Sequence, residues 1–339
     1  MFKPKLKNLF ILLIFFFQAI NCAFCAQEEA RIVWPAAPSR PRIAFVSSIY
    51  SAQDLGIKTG FFQKLKAIIF GTQREILNKP MAVAVDKERA IYVCDSGDAS
   101  VKIFKPKEKL YQKITKINNE ELIYPVGIAV ADDGRVFISD STLKKVFCLD
   151  KKARYKFTIG QDKRFLRPTG LAVASGRLYV VDTQAHKVII FDLMGNFILE
   201  FGARGKGEGE FNYPTSIAID NENKSYIADT MNCRAQVFDK NNKFLYSLGQ
   251  AGNTSGSFSR PKAVALDSEG HIYVADGIFD NIQIFSQKRE FLLSVGESGH
   301  KDGEFWIPSG IAIDEDNYIY VADAYNQRIQ VFRYIGSGQ

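Results

Sequence analysis

Residues 214–238 read PTSIAIDNENKSYIADTMNCRAQVF, and the pattern of this stretch returns along the chain. A segment of the form Pro-x-small-aliphatic-Ala-aliphatic begins at Pro80, Pro125, Pro168, Pro214, Pro261 and Pro308, at intervals of 45, 43, 46, 47 and 47 residues. An aromatic-aliphatic-x-Asp segment follows each one. These end at Asp95, Asp140, Asp182, Asp229, Asp276 and Asp323, spaced by 45, 42, 47, 47 and 47 residues. Two markers keep one register through six copies, and a period of about 40 to 50 residues is that of propeller blades or similar arrays.

Within the fourth unit, Ser216 to Asp220, Ser225 to Asp229, Ala235 to Phe238 and Lys243 to Leu248 are short β-branched and aromatic segments separated by Asn, Asp and Gly. They predict four strands joined by tight turns. A lone meander cannot bury both faces, but six packed radially can. The expected fold is therefore all-β, a six-bladed β-propeller of four-stranded antiparallel blades. Gly127, Gly170, Gly310, Ala82 and Ala263 suit the crowded zone near the axis, where larger side chains would overpack the hub. The sixth unit ends at Phe332 without a fourth strand. The stretch 42–50, Arg42 to Tyr50, resembles the missing strand and is expected to complete blade six and close the ring.

With these residues on the page, the units at Pro214 to Phe238 resemble NHL repeats, and the resemblance covers about residues 77–333. Units four and six match best, through Asn232 and Arg234 in one and Asn326 and Arg328 in the other; unit one has Asp98 and Ser100 there, and unit two has Leu143 and Lys145. The resemblance implies a six-bladed propeller over 77–335 and little about chemistry, because function lives in sites grafted on folds. Relatives include RNA- and protein-binding domains, sensor domains of bacterial kinases and the lyase that forms peptide amides.

The first 26 residues differ from the rest: Lys3, Lys5 and Lys7 precede an apolar run from Leu9 to Phe17. This reads as a signal peptide, followed by a linker over 27–41, and implies a periplasmic or secreted protein. An N-terminal anchor is the weaker reading because the run is far short of the roughly 20 residues that span a bilayer. Lipid modification at Cys22 is also weaker, since Asn21 before it is not small. The net charge of +7 includes the three leader lysines, leaving 7 − 3 = +4 on the remainder, too little to imply nucleic acid by itself. Of five cysteines, Cys94, Cys148 and Cys233 follow the leader, and an odd number at three different blade positions reads as buried thiols. The segment 51–76 connects the closing strand to the first blade. Within it the spacing of Phe61, Phe62, Leu65 and Ile69 predicts an amphipathic helix over about 60–70, either packed on the propeller or making peripheral membrane contact.

Catalytic signatures are sparse. His186, His271 and His300 occupy different phases of the repeat, so no convergent metal site is expected, and no cofactor is implied. The six repeat aspartates are read as structural, each accepting hydrogen bonds from turn amides and pairing with an Arg five residues on in units four and six. Gly202 to Gly209 superficially resembles a phosphate cradle, yet similar glycines recur in later units and no helix follows, so it reads as a blade linker. Ligand-binding candidates cluster beside the prolines: Lys79, Tyr124, Arg167, Tyr213, Arg260, Lys262 and Trp306. This mix of basic and aromatic groups suits a protein partner or a small anionic or carbohydrate ligand. The expected role is a binding scaffold, with a hydrolase or lyase bearing a dispersed channel site as the alternative. Export argues against nucleic acid.

Overall fold

Each repeat folds into an antiparallel meander because its apolar runs are only five to seven residues long and are broken by turn residues. In the fourth unit, strands Pro214–Ile219, Ser225–Asp229, Arg234–Phe238 and Phe244–Leu248 pair in sequence, and are termed A to D here. The computed structural model describes residues 32–57 and 76–336, and blades one to five each contain four such strands. Strand A of every blade lies against strand A of both neighbours, so the six A strands surround the axis in a closed ring. Among the described residues there is no α-helix; the helix expected over about 60–70, with Phe61, Phe62, Leu65 and Ile69, lies outside them.

Blade six takes its fourth strand from the other end of the chain. Ile43–Ile49 pairs antiparallel with Arg328–Tyr334, from Ile43 opposite Tyr334 to Ile49 opposite Ile329, with a bulge between Phe45 and Ser47. A fifth strand, Val33–Trp34, lies outside it. Trp34 and Phe45 both pack edge-on against Phe332, with ring centres 5.6 and 5.7 Å away.

The core is divided into six apolar clusters, one between each pair of adjacent blades. Between blades three and four, for instance, Val181, Val188 and Ile190 meet Phe211, Ile217 and Phe238. A recurrent anchor is the linker phenylalanine, Phe165, Phe211, Phe258 or Phe305, each at most 1% exposed. It lies under the glycine that ends the preceding strand D. At Gly249, φ is +75° and an added Cβ would lie 2.3 Å from the Phe258 ring, so both backbone and space demand glycine.

The hub is tighter still. A Cβ on Gly127 would sit 1.9 Å from the Thr169 carbonyl oxygen of the next blade. Side-chain bonds stitch the same zone: Cys94 Sγ reaches Gly127 O, Ser139 Oγ donates to Thr169 O, Thr183 Oγ1 to Pro214 O, Thr230 Oγ1 to Pro261 O and Ser309 Oγ to Pro80 O. The thiols of Cys94, Cys148 and Cys233 are free; the first two are buried, whereas Cys233 is half-buried on a left-handed turn. Burial pushes Cys148 up to about 11.

All six repeat aspartates are fully buried. Asp140 accepts from the Ile123 and Tyr124 amides of the linker and from the Thr142 and Leu143 amides of the B–C turn. Asp95, Asp182 and Asp276 do the same with their own linker and turn amides. Asp229 and Asp323 hold one linker amide each, Asn212 and Trp306, and turn their second oxygen to side chains. Asn232, Arg234 and Gln236 serve Asp229; Asn326, Arg328 and Gln330 serve Asp323. Blade one substitutes Lys102, whose ammonium lies 2.6 Å from Asp95.

Three outcomes test this account. Gly127→Ala forces the hub apart and lowers unfolding free energy by about 1–3 kcal/mol or more, read from urea denaturation. Asp323→Ala leaves the buried Arg328 guanidinium with only the half-exposed Asp302 carboxylate, at 3.3 Å, and costs about 3 kcal/mol, whereas the double change with Arg328→Met recovers part of the loss. The third concerns the blade five–six junction, where His271 Nδ1 lies 2.8 Å from Asp267 and its ring packs on Tyr334. The Asp267 hydrogen bond raises the His271 pKa above the ordinary imidazole value, aided by Glu269 and opposed by burial and Arg42. Its contribution is therefore complete below the unfolded-state value and is lost as pH rises through the folded one. The melting-temperature gap between wild type and His271→Gln should be wider near about pH 5.5 than near about pH 8.5.

Candidate functional site

The D–A linkers and B–C turns emerge at one end of the propeller, and the buried aspartates fix both. In blades one, two, three and five the residue before proline donates its amide to the aspartate, as Lys79, Tyr124, Arg167 and Arg260 do. In blades four and six the aspartate is occupied by Arg and Gln, and the residue before proline turns left-handed, with φ of 51° at Tyr213 and 57° at Ile307. Their amides go instead to the preceding blade, Tyr213 to His186 Nδ1 at 3.2 Å and Ile307 to Asp280 at 2.7 Å.

Three of the candidate side chains form a cationic group. Lys262 is the second residue of strand A of blade five, and its stem lies over Gly277, where an added Cβ would be 3.0 Å from Lys262 Cγ. Burial lowers the Lys262 pKa, and the charges of Arg260 and then Arg167 lower it further, with Asp276 opposing. Arg167 and Arg260 are exposed. Among the described residues none of these three side chains has a hydrogen-bond or ion-pair partner.

Across the ring, blades six and one carry an aromatic group. Trp306 packs on Tyr325 at 5.4 Å and on His300 at 5.0 Å, and Lys79 Nζ sits 4.8 Å from the centre of the Tyr325 ring. Tyr213 packs on the buried His186 at 4.7 Å. Tyr124, half-buried, joins neither group. The three histidines stand apart, beside Tyr213, Asp267 and Asn326, and no described group of three or more His, Cys, Asp or Glu side chains could hold a metal.

Sequence reading missed the partners that complete this face, Tyr325, His300 and His186. It also missed an apolar fringe: Ile123, Leu166, Met231 and Ile278, from blades two to five, are 46–53% exposed on the same linkers and turns. The available signal was large apolar residues at positions two before proline or just after the repeat aspartate.

The opposite end is different. A cavity of about 240 Å³ lies between the A–B turns of blades six, one and two, and carboxylates outnumber cations in its lining, with Lys87 and Arg89 both held in ion pairs. Lys87 pairs with Asp132 at 2.9 Å, and Arg89 with Asp316 and, at 3.6 Å, Asp314. Those ion pairs tie the blades on either side of blade one to it.

A family described as 6-bladed beta-propeller matches residues 161–234, and the NHL repeat family matches residues 305–332. Protein brain tumor of Drosophila melanogaster is 23% identical over 152 residues, covering 43% of this chain and 13% of that protein. Peptidylglycine alpha-amidating monooxygenase of Rattus norvegicus is 27% identical over 124 residues, covering 32% of this chain and 13% of the enzyme. The chain thus matches about an eighth of the length of these relatives. Among solved structures, a protein of unknown function from Bacteroides thetaiotaomicron superposes with a TM-score of 0.61 at 14% identity, covering 86% of this chain and 75% of that one. With six blades closed into one ring and these two families matched within it, the chain is a six-bladed β-propeller carrying NHL-type repeats.

Proposed function

We propose that this propeller is a binding scaffold whose loop face receives a protein partner or a small anionic ligand, and that it works outside the cytoplasm. The observation that carries the reading is the contrast between the two ends. On the A–B face the cations Lys87 and Arg89 are paired and carboxylates are in excess, whereas on the loop face Arg167, Arg260 and Lys262 lack partners and are fringed by exposed apolar groups. Arg, Tyr and Trp are the residues that dominate binding energy at interfaces, and exposed apolar groups gathered on one face mark interaction surfaces. The NHL repeat match and the likeness to Protein brain tumor support an interaction role. The basic and apolar run at Lys3 to Phe17 supports export.

A hydrolase or lyase with a dispersed channel site is the second reading, favoured by the similarity to the amidating monooxygenase. It requires ionisable groups that converge on a reacting atom, whereas a scaffold requires only a complementary surface.

The decisive experiment is affinity capture from an envelope fraction with the wild type and a triple Arg167→Ala, Arg260→Ala, Trp306→Ala variant. All three residues are exposed, so the variant should melt within a few degrees of wild type. Recovery of the captured partner should fall by about tenfold or more, the loss of a few interface hot spots. Undiminished recovery removes the loop face from the interaction.

A further inference from the structure

Resting on that scaffold reading, we propose that the loop-face mouth recognises an acidic segment of a partner protein. Its side-chain carboxylates seat among Lys262, Arg260 and Arg167, and its neighbouring apolar residues rest on Leu166, Ile278 and Trp306.

The case for an anion begins with the cations themselves. Arg167 immediately precedes strand A of blade three and Lys262 is the second residue of strand A of blade five, and both strands lie against strand A of blade four, so the cations flank one another at the mouth of the ring. Holding like charges together on a half-buried lysine costs free energy unless an anion offsets it. The nearest carboxylate acting on Lys262 is Asp276, but its oxygens already accept the amides of Ser259, Arg260, Ile278 and Phe279. An incoming carboxylate would find two guanidinium forks and an ammonium, the arrangement that gives charge-assisted and bidentate bonds.

The surroundings choose the class of partner. A free small anion seated on Lys262 would leave the exposed apolar side chains of Leu166 and Ile278 in water. A nucleic-acid strand needs a continuous basic track, with aromatic faces for stacking bases. Here Lys145 and Lys187 beside the adjoining turns are already paired with Glu120 and Glu200, so the cations form a local group and no continuous track, and the linker side chains nearest them, Leu166 and Ile278, are aliphatic. Carboxylates flanked by apolar residues complement both parts of this surface, cationic centre and aliphatic fringe.

The test uses fluorescence anisotropy with the whole protein and a labelled peptide in which a run of glutamates is flanked by leucine and phenylalanine. The competing probes are the same peptide with glutamine for glutamate, citrate, and an oligouridylate. The glutamate peptide should bind, and weaken as salt screens the charges. Lys262→Met, Arg260→Gln and Arg167→Gln should each weaken it by about tenfold while the melting temperature holds, and Leu166→Ser should weaken it further. Equal binding of the glutamine peptide, or unchanged affinity in the three cation variants, overturns the proposal. Citrate binding as tightly as the peptide overturns it in favour of a small-anion pocket, and tighter oligouridylate binding overturns it in favour of nucleic acid. If the peptide fails while capture of an envelope partner still depends on Arg167, Arg260 and Trp306, the acidic-segment proposal falls and the scaffold reading stands.

Discussion

A carboxylate at the end of strand B, removed from water, is the constraint on which this propeller turns. An ionised group in the interior survives only if its lone pairs are filled, and each of the six aspartates fills them from two different loops. Charge-assisted bonds of this kind are the stronger ones, so a short polar linker is held to its own blade without a disulfide or metal. Because in blades one, two, three and five the same carboxylate binds the amide just before the proline, it also sets where strand A starts there. The inner ring and the outer loop face therefore share one origin.

Much of this was legible before any coordinates. Proline and aspartate held one register through six units, so the strand order and the structural role of Asp229 and Asp323 followed from spacing and turn chemistry. What spacing along the chain does not encode is which residues meet across the ring. Lys262 and Arg167 are separated by an intervening blade, and only closure brings their charges within reach. The Trp306–Tyr325–Lys79 group likewise draws on the last and first blades, remote in sequence. The left-handed turns at Tyr213 and Ile307 escaped notice because neither residue type advertises positive φ. They arise where arginine and glutamine have taken the carboxylate oxygen that the linker amide would otherwise use.

The two ends of the barrel-like ring consequently play unequal parts. On the A–B side, turns carry Asp and Glu together with Lys and Arg, and these pair across blade boundaries near the point where the ring closes. On the other side, Asp140, Asp182 and Asp276 accept backbone amides alone, so Arg167, Arg260 and Lys262 of blades three and five are not drawn into the aspartate network.

The strand contributed by Ile43–Ile49 has a consequence for the order of events during synthesis. Its partner, Arg328–Tyr334, follows every other blade strand in the chain, so the preceding blades can form while the ring is still an open arc. Until the two ends meet, Phe332 lacks Phe45 and Trp34, and the first and sixth blades present apolar flanks to solvent. Closure of so long a loop is slow and exposes the nascent chain to aggregation. A chain of this design is therefore most exposed in the interval before Arg328–Tyr334 has met Ile43–Ile49.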